Sequence, residues 1–300
     1  MKVFITGASG YIGGSIAARL LAEGHVVTGL VRTEARAREI AARGITPVVG
    51  DLADLATVAG AAKEADAVIN TANSDNRPVV DAMLEALRGT GRTFLQSSGS
   101  SIVADLADGE KEGPVHDEAT PVHPLPLRAG RVALNDAVIA AATEGIRTLV
   151  VCPSLIYGEG HGVHRDSIQI PWLVDLARKH GAGRHVGAGR NIWSNVHIDD
   201  LVDLYLLALA KAPAGAFYYA ENGENSMQAT AAAVSRMLGF GGVTRPMSVA
   251  EAVAEWGEGP ARYTMGSNSR VQARRARTEL GWRPSARSMI EEIERGCYAR

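Results

Sequence analysis

Residues 6–13 read Thr6-Gly7-Ala8-Ser9-Gly10-Tyr11-Ile12-Gly13, directly after the apolar run Lys2-Val3-Phe4-Ile5. Glycines at this spacing let the chain turn sharply, because a residue without Cβ accepts conformations and close approaches that other side chains block. Beyond the turn, apolar positions recur at helical spacing over residues 12–23. Strand, glycine turn and helix in that order leave the N–H groups of the first helical turn pointing outward, where an anion can rest. The stretch reads as a bed for the pyrophosphate of a dinucleotide, with Gly7, Ser9, Gly10, Tyr11, Ile12 and Gly13 around it. The competing reading, a structural turn with accidental glycine spacing, loses ground once the surrounding pattern is followed.

That pattern alternates. Further strands read at 25–31, 46–49, 67–71, 93–97 and 147–153, with helical patterns near 33–43, 54–63, 77–89 and 130–144 between them. Apolar strands alternating with helices predict an α/β fold, a Rossmann-type doubly wound parallel sheet built from right-handed crossovers. Residues 1–154 form its dinucleotide-binding core in this reading. Residues 155–300 are a mixed segment that completes the sheet and forms a small C-terminal substrate-binding lobe. In it, helices are expected near 168–180, 199–210 and 226–238, strands around Asn195–Ile198 and at 216–219, and a tail, 271–296, that ends in amphipathic helical pattern. Residues 99–129, rich in Gly and Pro, break the rhythm as a long loop, and such loops are often functional.

Composition narrows the function classes. The chain has 300 residues, 46% apolar, enough for a sizeable core. A net charge of −2 gives no electrostatic case for nucleic acid or an anionic membrane surface, so a small-molecule substrate is the expected partner. No apolar run reaches the roughly 18 residues that cross a bilayer. The N-terminus starts a strand at once, without a signal-peptide pattern, so the cytoplasm is the expected location. Cys152 and Cys297 lie too far apart for a CxxC site, and no metal is expected. Cys152, within an apolar strand, reads as a packed core thiol.

The strand ends identify further cofactor residues. An acidic side chain about 20 residues past the glycines would hold the ribose 2′-hydroxyl of NAD. Here the chain reads Leu30-Val31-Arg32-Thr33, with Arg36 and Arg38 following. Arg32 can pair with a 2′-phosphate, which favours NADP with NAD as second choice; the plain alternative is a solvated arginine at a helix start. Asp51 and Leu52 follow the third strand, where the carboxylate can accept from adenine and Leu52 can pack on the ring, or Asp51 can cap a helix. Thr71, Ala72 and Asn73 follow the fourth strand, at the carboxyl edge where ligands bind.

These residues, together with Ser97-Ser98 on the fifth strand, Pro153 and Tyr157-Gly158 after the sixth, Val196-His197-Ile198-Asp199-Asp200-Leu201 and Glu279-Leu280-Gly281-Trp282-Arg283-Pro284, resemble an extended short-chain dehydrogenase/reductase of the nucleotide-sugar epimerase/dehydratase type. The resemblance implies cofactor contacts at Ser97 and Pro153 as well. It also implies a catalytic Tyr-x-x-x-Lys pair on the helix after the fifth strand, which this chain lacks. Its tyrosines stand at 11, 157, 205, 218, 219, 263 and 298, none with lysine four residues on. By position, Leu127 takes the place of the tyrosine and Arg131 that of the lysine. The chain is therefore similar to atypical members that keep the cofactor fold without that pair.

The chemistry must then come from other groups. The family count puts Gly99 where a Ser or Thr would hold the substrate oxygen, so Ser98 and Ser100 are rival candidates. Arg131 can hold the ribose, and Tyr157 or a water can supply the proton, although Tyr157 also reads as a packed loop residue. His197 reads as a structural histidine tied to Asp199 or Asp200, or as a pocket residue. The expected function is an NADP(H)-binding oxidoreductase acting on a small carbonyl, alcohol or sugar-like substrate. The alternative is a catalytically silent NADP(H)-binding redox sensor. The resemblance also allows a homodimer paired through the helices near 77–89 and 130–144.

Overall fold

Each apolar run of the N-terminal half becomes a short strand in the computed structural model, which describes residues 1–299. The strands are β1 (Lys2–Thr6), β2 (Val26–Val31), β3 (Thr46–Val49), β4 (Ala67–Asn70) and β5 (Thr93–Ser97), alternating with helices α1 (Tyr11–Ala22), α2 (Glu34–Ala41), α3 (Leu55–Lys63) and α4 (Arg77–Leu87). Helix starts follow side-chain caps. Thr33, Asp54 and Asn76 each accept a backbone N–H from the first turn of α2, α3 and α4.

After β5 come β6 (Val115–Asp117), α5 (Pro126–Ala140), β7 (Arg147–Pro153), β8 (Leu155–Tyr157), α6 (Gln169–His180), β9 (Gly183–Val186), β10 (Ile192–His197), α7 (Ile198–Lys211), β11 (Ala216–Ala220), β12 (Glu224–Ser226), α8 (Met227–Met237), β13 (Thr244–Met247) and β14 (Arg270–Gln272). Helix α5 starts at Pro126, earlier than the apolar pattern near 130 suggests. Proline suits the first helical position, where its missing N–H costs nothing.

Seven strands form one sheet in the order β11-β7-β5-β4-β1-β2-β3, every pair parallel. The order reverses between β1 and β4, the switch point at which such sheets bind ligands. Strands β1, β4, β5 and β7 are buried along almost their whole length, as a parallel sheet covered on both faces requires. One face packs Ile16, Leu20, Val27 and Ile40 with Leu201 and Tyr205 of α7; the other packs Phe4, Val80, Met83, Phe94 and Leu134. The C-terminal half thus contributes α7 and β11 to the core. Its remainder makes a lobe with a second apolar centre that includes Leu155, Tyr157, Ile170, Trp193, Met227 and Met289.

One expectation is corrected. The stretch 99–129 is not all loop: β6 pairs in parallel with β14, binding the excursion to the far end of the chain. The tail 271–296 ends in helix, at Met289–Arg295, as its amphipathic pattern leads one to expect. Gly281, at φ +69°, ends a helix at Arg274–Glu279, and Pro284 keeps the chain from resuming until Met289–Arg295.

Candidate functional site

The carboxyl ends of β1, β2, β3 and β4 open on a cavity of about 1340 Å³. Gly7, Ser9, Gly10, Tyr11, Ile12 and Gly13 form one wall, Arg32, Asp51 and Leu52 another, and Thr71, Ala72 and Asn73 a third. Lining residues absent from the sequence reading include Asn76, Pro78, Ser154, Ile156, His164 and Gln169.

The glycines explain the shape. Gly7 sits at φ +78°, and a Cβ there would meet Thr71 Oγ1 at 2.7 Å. A Cβ on Gly13 would lie 2.4 Å from both Gly7 O and Thr71 Oγ1, so this glycine lets α1 seat against the turn. Gly10, the residue before α1, carries no capping side chain, and no acidic residue stands in the first turn of the helix. The N-terminus of α1 therefore faces the cavity as an unneutralised positive dipole end, suited to a pyrophosphate. The residues present fit a dinucleotide.

The strand-end residues divide their work. Arg32 is exposed beside the cavity, and Arg36 also lines it while paired with Glu39. Asp51 accepts from the N–H of Ala53, while the cap of α3 is Asp54. Thr71 lines the cavity and donates its hydroxyl to Thr6 O.

Seven candidates lie off the cavity lining: Ser97, Ser98, Ser100, Arg131, Pro153, Tyr157 and His197. Ser97 is buried with its hydroxyl against the phenol of Tyr205, and Pro153 ends β7 inside the sheet; neither lines the cavity, and Ser154 takes that place. Ser100 is buried, its hydroxyl accepting from Ser269. Tyr157 is fully buried in the lobe, donating to the carbonyl of Arg287, and burial pushes its phenol well above the usual tyrosine range. Its hydroxyl is engaged in the lobe and does not line the cavity. His197 caps α7 by accepting from Asp199 N and stacks edge-on with Tyr157, a structural placement.

Ser98 and Arg131 both lie near the end of β5, each with its own partners. Ser98 accepts from Asn135 Nδ2 at 2.9 Å, on the same helix as Arg131. Cys152 lies beside Ser98, and burial pushes its thiol up to about 12. Arg131 is held by Asp75, Nε donating to Oδ1 at 2.7 Å, and it also donates to Ser101. Its Nη1 lies 3.1 Å from where a Cβ on Gly99 would stand. The guanidinium thus occupies the space that a side chain at Gly99 would take. It holds the Asp75 carboxyl below the usual carboxylate range, chiefly by this hydrogen bond.

The family described as NAD dependent epimerase/dehydratase matches residues 3–219. The chain belongs to that family. It is 31% identical to the oxidase ucsJ of Acremonium sp over 98% of this chain and 95% of that protein. It is 29% identical to a 2-alkyl-3-oxoalkanoate reductase of Stenotrophomonas maltophilia (strain K279a) over 75% and 71%. Among solved structures, dTDP-glucose 4,6-dehydratase from Bacillus anthracis str. Ames, in complex with NAD, superposes with a TM-score of 0.76 over 99% of this chain and 94% of that one, at 18% identity. The fold and the family are those of NAD(P)-dependent enzymes of oxidoreductase type. Among the described residues, no helix is long and apolar enough to cross a membrane.

Proposed function

We propose that this protein is an NADP(H)-dependent reductase of a small carbonyl compound, acting in the cytoplasm. The observation that carries the reading is the pair Arg32 and Arg36 lining the cavity just past β2, with arginine and not a carboxylate at the strand end. Guanidinium groups suit that phosphate because they stay charged and present paired donors. The ketone-reducing name of the Stenotrophomonas relative supports a carbonyl substrate.

A bound nicotinamide supplies hydride chemistry at the carboxyl edge of the sheet. The chain's own part is to stabilise charge on the substrate oxygen. Ser98, oriented by Asn135, and Arg131, oriented by Asp75, are the groups for this. Fixed donors aimed at a developing oxyanion lower the barrier without reorganising. Since Leu127 stands at the tyrosine position and Tyr157 is buried away from the cavity, the proton comes from water. A homodimer paired through α4 and α5 belongs to the same reading.

The test has two arms. Fluorescence titration should give tighter binding of NADPH than NADH, with Arg32→Asp reversing the order. A screen of aldehydes, ketones, oxo acids and sugar nucleotides, followed by NADPH absorbance, should find turnover that Ser98→Ala lowers. NADH binding more tightly to the parent overturns the cofactor assignment. Tight NADPH binding with no turnover across the panel overturns the reductase reading in favour of a sensor.

A further inference from the structure

Helix α5 carries a second arginine on the side of Arg131. Arg128 stands one turn earlier, and residues three apart are neighbours on a helix surface. The two are placed differently. Arg131 has Asp75 as a two-oxygen partner. Arg128 makes no ion pair with any carboxylate among the described residues, and its Nε is buried without a hydrogen-bond partner. Its guanidinium lies over the ring of Tyr263, 5.7 Å from the centroid. Burial, and next the charge of Arg131, hold it below the usual arginine range, with Asp75 opposing.

The location matters. Asp75 follows β4 and Ser101 follows β5, both at the carboxyl edge of the sheet, and both bind Arg131. Tyr263 belongs to the helical turn Ala261–Met265 of the lobe. Arg128 thus stands between the sheet edge and the lobe. A half-buried cation with an unmatched donor is an unfavourable arrangement on its own, because charge taken out of water needs a partner. The ring of Tyr263 compensates only in part, since an aromatic face attracts a cation without accepting its N–H bonds.

We propose that Arg128 is the receptor for a carboxylate carried by the substrate, which makes the substrate an oxo acid or hydroxy acid. The planar fork of a guanidinium matches a carboxylate with two parallel bonds. Arg131 is engaged by Asp75, which leaves Arg128 as the unpaired cation of the two. The inference rests on the reductase reading for the identity of the cleft, and the experiment separates the two.

The probes are benzoate and benzamide, equal in shape and different in charge, titrated into the NADPH-loaded full-length protein by the change in NADPH fluorescence. Benzoate should bind about 10-fold to 100-fold more tightly than benzamide, as charge-assisted bonds to a half-buried cation allow. Arg128→Met should abolish that preference with NADPH affinity unchanged, and Arg128→Lys should reduce it. Should Arg128→Met lose NADPH binding through misfolding, the lysine variant decides, and an undiminished preference there overturns the proposal. Equal binding of acid and amide to the parent also overturns it, as does methyl phosphate binding more tightly than benzoate. Benzoate binding without turnover of any oxo acid refutes the reductase reading but not the carboxylate site. Turnover of neutral ketones without acid preference refutes the carboxylate site but not the reductase.

Discussion

Replacing glycine by alanine inside a helix ordinarily stabilises it by roughly 0.5–1 kcal/mol, because alanine loses less backbone freedom on folding. Gly13 and Gly60 both lie within helices, α1 and α3, and the structure predicts opposite signs for the same change. Around Gly60 nothing lies within 4 Å of an added Cβ, so Gly60→Ala should gain the full helical preference. Around Gly13 the Cβ would stand 2.4 Å from Gly7 O and 2.4 Å from Thr71 Oγ1, with Gly7 C at 2.8 Å. Two of these atoms are backbone, and Thr71 Oγ1 is bound to Thr6 O, so relief requires α1 to move away from the turn. Overpacking costs about 1–3 kcal/mol. Losing the Thr71 hydrogen bond adds roughly 1 kcal/mol. Set against the helical gain, Gly13→Ala should destabilise by about 1–3 kcal/mol net. Moving α1 also shifts its N-terminus, so NADPH affinity should fall. Urea denaturation at equilibrium, read by tryptophan fluorescence, measures the first effect, and NADPH titration the second. A Gly13→Ala variant as stable as Gly60→Ala, with unchanged NADPH affinity, would refute the claim that this glycine exists to seat the helix.

Gly10→Val should fold but lose NADPH affinity by about 10-fold or more, since its Cβ stands on the cavity wall, already 3.1 Å from Gly7 O; calorimetry checks this, and parental affinity would mean the pyrophosphate lies elsewhere. Tyr157→Phe should leave turnover intact while lowering stability by about 1–3 kcal/mol, because the Arg287 carbonyl loses its buried donor; a drop in kcat with unchanged stability would return the phenol to the chemistry. Asp75→Asn should be less stable than the parent at neutral pH. Because the folded carboxyl titrates below its unfolded value, that difference should persist above the ordinary carboxylate pKa and shrink as pH falls through the depressed one; denaturation midpoints measured across acid pH give the answer, and a constant difference would count against the Arg131 pairing.

The dinucleotide half was legible because its signals are local. Apolar runs, Thr33, Asp54 and Asn76 at helix starts, and the glycines at 7, 10 and 13 all lie within a few residues of what they determine. The misplacements share a physical cause, the alternation of side chains along a strand. Leu155-Ile156-Tyr157 reads as part of a loose loop, yet it forms a strand. Successive side chains then face opposite ways, and Ile156 reaches the cavity while Tyr157 enters the lobe core. The rule also puts Ser97 against Tyr205 of α7, away from the ligand side of β5. Contacts that join distant segments carry no local mark. Arg131 meets Asp75 across 56 residues, and Ser100 meets Ser269 across 169.

A glycine fingerprint is usually treated as a portable module, transferable between proteins of this architecture. In this chain it has a second tenant. Tyr11 donates its hydroxyl to Gly158 O, Ser15 accepts from His161 N, and Ser9 O accepts from His164 N. Gly14 passes so close to Gly162 that a Cβ would stand 2.7 Å from the Cα of that residue. The segment that leads from the sheet into the lobe is therefore moored to the very turn whose glycines fit a pyrophosphate. A graft keeping Gly7, Gly10 and Gly13 but bringing a bulkier residue at 14, or losing the hydroxyls at 11 and 15, would preserve the phosphate bed and set the lobe adrift. In this protein, the phosphate bed and the lobe position cannot be re-engineered one at a time.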